Sequence, residues 1–258
     1  MRRRAITLGM AFSIALAGAV PALAILYGGP DGNDHPYVGL AVFFDASGTR
    51  LGRCSGTLLS EKILLTAGHC TDGAATAQVW FDAAIGLNSP SFTGVPHTHP
   101  DFNDSAFPNR RDVGVVVFGA AVPVPGSLFA TLPALGALDD LATRRGPDYP
   151  IFTVVGYGFQ SVKPDLRMDL IRFRGATKLV NLRSALTDGF NLQMSSDPGR
   201  WAGGICFGDS GGPVLLGDTN VVVAVDSFVM NSNCTGSGFA YRTDIFDAQS
   251  FILPFLRP

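Results

Sequence analysis

From Val38 to Arg242 the apolar residues come in short runs, and nearly every run is closed by Gly, Pro, Asn, Asp or Ser. The runs are Val38–Phe44, Thr57–Leu59, Ile63–Thr66, Gln78–Phe81 and Val113–Phe118, then Phe152–Val155, Leu170–Phe173, Asn191–Met194, Val214–Leu216, Val221–Val225 and Phe239–Arg242. Segments of this length and spacing predict an all-β sandwich or barrels rather than βαβ units. Helical periodicity is convincing only at the end, where Ile245, Phe246, Phe251, Ile252 and Phe255 fall on one face of a closing helix. Between Ala120 and Pro150 the apolar pattern lapses, and Pro123, Pro125, Pro133, Pro147 and Pro150 appear. A proline-rich connection of this length marks a crossing between two cores. We therefore divide the chain into 25–135 and 136–258; one barrel with a long surface loop is the competing reading.

The first 24 residues read as an export signal, removed from the mature protein. Arg2, Arg3 and Arg4 precede the apolar stretch Ala5–Val20, and Ala22-Leu23-Ala24 is a small-residue cleavage site. The apolar stretch is short for a bilayer and ends at Pro21, which argues against an anchor. The expected location is outside the cell or in the periplasm, with no membrane association after cleavage. The signal takes three arginines with it, leaving 16 basic and 21 acidic side chains, a net charge of −5. With no basic block, nucleic acid is excluded as a partner. Four cysteines in an exported chain predict two disulfides, with three pairings open. The ligand spacing of a zinc site is absent, so no metal and no cofactor are expected.

Chemistry concentrates in Gly204-Ile205-Cys206-Phe207-Gly208-Asp209-Ser210-Gly211-Gly212-Pro213. Glycines at this density let the main chain lift a serine out of the surface and aim N–H groups at one point. Those are the parts of a nucleophile beside an oxyanion hole. A plain glycine-rich turn is the bland alternative. The histidines narrow the chemistry, because His35, His69, His97 and His99 all precede Ser210. The Ser-acid-His order of an α/β-hydrolase elbow is therefore ruled out.

His97 and His99 lie in the turn-like stretch Val95–Pro100, and His35 precedes a proline; all three read as structural. His69 follows Ile63–Thr66 and the small pair Ala67-Gly68, with Cys70 next. A bridge from Cys70 to Cys54 would clamp its turn, for about 3 kcal/mol in the chain-entropy model. A histidine base needs an acceptor on its other ring nitrogen. Asp112, at the head of Val113–Phe118, is the best candidate; Asp101 and Asp104 sit in polar loops. Buried at that position, Asp112 needs donors around it.

Thr66-Ala67-Gly68-His69-Cys70, Asp112-Val113-Gly114 and Gly208-Asp209-Ser210-Gly211-Gly212-Pro213 resemble the three catalytic motifs of the trypsin/chymotrypsin-like serine proteases. Cys54–Leu59 and His99–Phe102 are similar to the segments that precede the histidine and the aspartate. The likeness covers most of residues 25–257, and is nearest to secreted proteases of bacteria and fungi. It implies two six-stranded antiparallel β-barrels with a C-terminal helix and an active site in the cleft between them. The first barrel would carry His69 and Asp112, the second Ser210. His69 would serve as general base, Asp112 would orient it, and Ser210 would attack. The N–H groups of Gly208 and Ser210 would form the oxyanion hole, and Ser227 would donate to Asp112. The implied disulfides are Cys54–Cys70 and Cys206–Cys234. The expected partners are polypeptide substrates, and the expected state is a monomer.

Two places depart from the family pattern. Asp209 resembles the carboxylate that receives a freed N-terminal ammonium, and Ile25-Leu26-Tyr27-Gly28 resembles that terminus with Tyr27 in place of a glycine. With no propeptide between Ala24 and Ile25, signal cleavage itself would create the active terminus; a frayed leader is the alternative. The specificity pocket matches Gly204, Ile205, Ser227, Phe228, Val229 and Gly238. It has no acid at Gly204 and a branched side chain at Val229, which predicts small or medium apolar residues at P1. Trp201 reads as loop packing. A catalytically silent binding or adhesion module is the rival reading from another class. A subtilase would need a parallel α/β pattern that is missing.

Overall fold

The computed structural model describes residues 25–125, 128–141, 151–162, 166–196 and 203–257. The export signal, Trp201, Pro147 and Pro150 lie outside the described residues. Six strands, β2 (Val38–Phe44), β3 (Arg50–Leu58), β4 (Ile63–Thr66), β5 (Thr76–Trp80), β6 (Ser91–Thr98) and β7 (Gly114–Phe118), close into a barrel in the order β2-β3-β4-β7-β6-β5. A second set runs β8 (Ile151–Gly156), β9 (Phe173–Asn181), β10 (Asn191–Ser196), β11 (Pro213–Leu216), β12 (Val222–Val229) and β13 (Gly236–Arg242). Their order is β9-β10-β13-β12-β11-β8, and β8 pairs back onto β9, so this barrel closes too. The short strand β1 (Gly29–Pro30) adds to the outside of β9. Every strand pairing is antiparallel. Closure removes the open edges that would otherwise invite intermolecular pairing.

The stretch around His97, read from sequence as a turn, is strand β6. Its outer face carries Ser91, Thr93, Val95 and His97, and its inner face includes Gly94, where a Cβ would stand 2.5 Å from Val116 Cγ1. The inward signal is a missing side chain, invisible to a hydrophobicity pattern. Pro96 is tolerated because β5 pairs only with residues 91–94, leaving β7 as its one neighbour there. The run Leu170–Phe173 is a strand only from Phe173 onward, and Ile171 makes an isolated bridge to Ala84.

The closing helix spans Phe246–Leu256 (α2), with Ile252 buried as expected, but Phe246 is exposed. The buried stripe is Ala248, Gln249 and Ile252. Although α2 follows the second barrel in sequence, it packs on β4 and β7 of the first. Its Gln249 side chain donates to the Pro133 carbonyl at 2.8 Å, tying it to the connection between the barrels.

A buried polar node joins the barrels. Arg172, 0% exposed, donates to Asp31 Oδ2 at 2.7 Å, to the carbonyls of Val38 and Phe81 at 3.0 and 2.9 Å, and to Tyr157 Oη at 3.2 Å. Tyr157 Oη in turn donates to the Asp82 carbonyl at 2.8 Å. His35 Nδ1 bonds Asp31 Oδ1, in keeping with a structural histidine.

Candidate active site

His69 sits on the single helical turn α1 (Gly68–Thr71) directly after β4. Gly68 is required there, since a Cβ would lie 2.9 Å from the Phe102 ring and 3.0 Å from Val113 N. Cys70 is bonded to Cys54 on β3, so the turn is fastened to the barrel wall. The second disulfide joins Cys206 to Cys234.

Asp112 is fully buried, at the head of β7. It accepts the His69 main-chain N–H at 2.8 Å on Oδ1, and its two oxygens lie 3.0 and 2.9 Å from His69 Nδ1. Ser227 Oγ donates to Oδ2. Burial alone would raise this carboxyl. The His69 charge and ring N–H, the Ser227 hydroxyl and the His69 main chain outweigh it and hold the group below the ordinary carboxylate range. An ionised Asp112 keeps the proton on His69 Nδ1 and leaves Nε2, which lies 3.6 Å from Cys70 Sγ, unprotonated as a base.

The serine loop belongs to the second barrel yet is seated in the first. Ser55 N donates to the Ser210 carbonyl at 2.8 Å, and Ser55 Oγ donates to the Gly208 carbonyl at 3.0 Å. Gly208 and Gly211 take φ +94° and +80°, a region that favours glycine. A Cβ on Gly211 would also meet Thr66 Oγ1 at 2.1 Å. Gly211 N donates to the Asp226 carbonyl at 2.7 Å and Gly212 N to the Asp209 carbonyl at 2.7 Å. Among the described residues, the N–H groups of Gly208 and Ser210 make no hydrogen bond.

His69, Ile205, Cys206, Phe207, Ser210, Ser227, Phe228 and Val229 line one cleft of about 220 Å³. The structure thus brings His69, Asp112, Ser210 and Ser227 together. No direct hydrogen bond joins Ser210 to His69, a looseness common in unliganded sites. Gly204 and Gly238 were expected to line the pocket, but both are covered. Ser196 Cβ lies 2.4 Å from the Cβ position of Gly204, and Ile205 Cγ1 lies 2.5 Å from that of Gly238.

Ile25 is fully buried, with Cγ2 packed 2.9 Å from the Cβ position of Gly175. Gly204 N donates to the Leu26 carbonyl at 2.9 Å. Tyr27 stands at φ 66°, the left-handed conformation that explains why a glycine suits this position. Asp209 is fully buried and accepts Gly158 N and Cys206 N at 2.8 and 2.9 Å. Burial raises its carboxyl to about 7, against the lowering by those two N–H groups and by Arg53. In a chain still continuous through Ala24, Ile25 has no ammonium to offer it.

The sequence reading overlooked Ser55, Arg53, Ser196 and Asp226. Arg53 donates to the Tyr157 carbonyl at 3.1 Å and leans against Gly208. Asp226, on β12, is 0% exposed with both side-chain oxygens unpaired among the described residues. An aspartate inside an apolar run, Val222-Val223-Ala224-Val225-Asp226, was the available signal.

The family model described as Trypsin matches residues 29–145. Brachyurin from Leptuca pugilator is 29% identical over 70% of this chain and 77% of its own length. A collagenase from Hypoderma lineatum is 27% identical over 75% of this chain and 74% of its own. The solved structure of HL collagenase superposes with a TM-score of 0.71 at 20% identity, covering 88% of this chain and 96% of that one. The chain is similar to trypsin-like serine proteases in sequence and in its two-barrel fold. A second solved structure, of a protein called GrC, has a TM-score of 0.65 at 17% identity over the same shares of the two chains. At these identities the solved structures speak for the two-barrel fold.

Proposed function

We propose that this trypsin-like chain is an exported serine endopeptidase acting through His69, Asp112 and Ser210. The observation that carries the reading is the convergence of a buried, ionised Asp112 on His69 Nδ1 in the cleft that also holds Ser210. Ser210 attacks the scissile carbonyl as its proton passes to His69 Nε2. The tetrahedral oxyanion is received by the N–H groups of Gly208 and Ser210, and collapse expels the amine with the proton from His69. Water then hydrolyses the acyl-enzyme by the same route. Ser227 and the His69 main chain keep Asp112 anionic throughout.

The floor of the cleft favours a small or medium apolar P1 side chain. Ser196 and Ile205 fill the space under Gly204 and Gly238, and Val229 stands at the wall. The Hypoderma lineatum relative bears the name collagenase, which makes collagen and its denatured form the first proteins to offer. The active terminus is Ile25, freed by signal cleavage, with its ammonium paired to Asp209.

The test is labelling by a serine-directed organophosphonate, followed by cleavage-site profiling on a denatured proteome. Labelling that vanishes in Ser210→Ala supports the peptidase. An unlabelled, inert wild type leaves the silent binding module instead.

A further inference from the structure

Three buried polar atoms without a hydrogen-bond partner among the described residues, Ser196 Oγ and both side-chain oxygens of Asp226, belong to the walls beneath the cleft floor. Ser196 Oγ lies 2.5 Å from the Cβ position of Gly204 and 3.6 Å from that of Gly238. Asp226 reaches the same region through the sheet. On β13, Gly238 and Ala240 share a face, since alternate residues of a strand do. Val229 stands opposite Gly238, and Asp226 stands opposite Ala240. Directly opposed residues project to the same side. The Asp226 carboxyl therefore leaves the sheet on the face that Ile205 covers at Gly238. Its cross-strand neighbour Ala240 offers only a methyl group. The core on this face includes Ala224, Ala240, Met194 and Ile205, all apolar, and Asp226 Oδ2 lies 3.3 Å from the Cβ position of Gly212.

A buried carboxyl with no partner is costly and calls for an explanation, because an apolar residue would pack this core better. We propose that Asp226 is a second specificity determinant, reached when Ile205 swings aside to admit a lysine or arginine side chain at P1. The proposal rests on the peptidase reading of the cleft.

The empty site is consistent with dual use. Burial and the neighbouring Asp209 carboxylate, the charged group that bears on it, push the Asp226 carboxyl well above the ordinary range. This favours its neutral form, in which an apolar P1 side chain above Ile205 meets no buried charge. When a cationic side chain enters, Asp226 gives its proton to solvent and the ion pair takes its place. One proton leaves for each cation bound, so cleavage after lysine gains on cleavage after leucine as pH rises.

The experiment measures kcat/KM on peptides differing only at P1 (Ala, Leu, Lys, Arg), using protein that begins at Ile25. Wild type, Ile205→Gly, Asp226→Asn and the double variant are compared. The expected result is a Lys/Leu ratio that grows with pH and rises in Ile205→Gly. In either background Asp226→Asn lowers it by about 10- to 100-fold. A ratio unchanged by Asp226→Asn in both backgrounds overturns the proposal. Should Asp226→Asn not fold, binding of an arylamidine to Ser210→Ala and to Ser210→Ala/Asp226→Val gives the same answer. Affinity lost in the second supports the proposal, and equal affinity overturns it. Absence of cleavage after every P1 residue, with no phosphonate labelling, would instead defeat the peptidase reading.

Discussion

The Ser227 hydroxyl, on β12 of the second barrel, donates to Oδ2 of Asp112, at the head of β7 in the first. A carboxylate with no access to water is thus kept ionised by donors from both halves of the protein. Ser227→Ala removes one donor to a charged acceptor, for which about 1.5–3 kcal/mol is typical. The expected outcome is a fall in kcat/KM of about 10- to 100-fold, with partial recovery in Ser227→Thr. Steady-state kinetics with urea melts as a stability control check it; an unaltered kcat/KM in Ser227→Ala would show that the His69 contacts suffice.

Asp209 makes the maturation state visible in a pH titration. The unfolded chain binds this proton with the ordinary value of 3.8, and the folded chain without a free Ile25 ammonium holds it up to about 7. A raised folded value contributes stability that is full below pH 3.8 and is lost as pH rises through about 7. The loss amounts to at most about 4 kcal/mol. On the proposed pairing, a protein that begins at Ile25 supplies the counter-ion and should escape this loss. In a Ser210→Ala background, Tm should fall with rising pH in an N-terminally extended form and stay flatter in the form starting at Ile25. Parallel curves would remove Ile25 from the role.

Ser196 forbids the simplest redesign of the pocket. An aspartate at 204 would place its Cβ 2.4 Å from Ser196 Cβ. Gly204→Asp should therefore lose stability, by about 1–3 kcal/mol for overpacking, and should not by itself confer strong cleavage after arginine. Thermal melts and P1 profiling of Gly204→Asp and Gly204→Asp/Ser196→Gly decide it; stability should return in the double variant.

Two arginine–aspartate pairs whose arginines stand two residues apart should differ sharply. Arg172 and Asp31 have side chains at 0% exposure, whereas Arg174 and Asp34 are 46% and 59% exposed. Arg172→Met leaves His35 as the partner of the buried Asp31 carboxylate and should cost up to about 3–5 kcal/mol, while Arg174→Met should cost less than about 1 kcal/mol. Urea denaturation of both variants measures the contrast. Equal losses would mean that the node between the barrels is not energetically special.

What was legible in the sequence had local causes. The glycines around Ser210, the small residues before His69 and the closed-off apolar runs all carry constraints that act within a few residues. The features that were hidden depend on partners far away in sequence. Gly94 marks the inside of β6 only because Val116 fills its place. Phe246 stands on the exposed side of α2, and the docking surface on β4 and β7 selects Ala248 and Gln249 instead. Arg172 reads as an ordinary polar residue until Asp31, Tyr157 and two carbonyls from elsewhere surround it. Gly204 reads as open space, and only the fold reveals Ser196 standing in it.

The carbonyl of Ser210 is held by Ser55 on the opposite barrel. Prising the halves apart would pull the nucleophile off its seat before it made room for a bulky guest. On the peptidase reading, Ser210 therefore keeps its place only while the two barrels stay together.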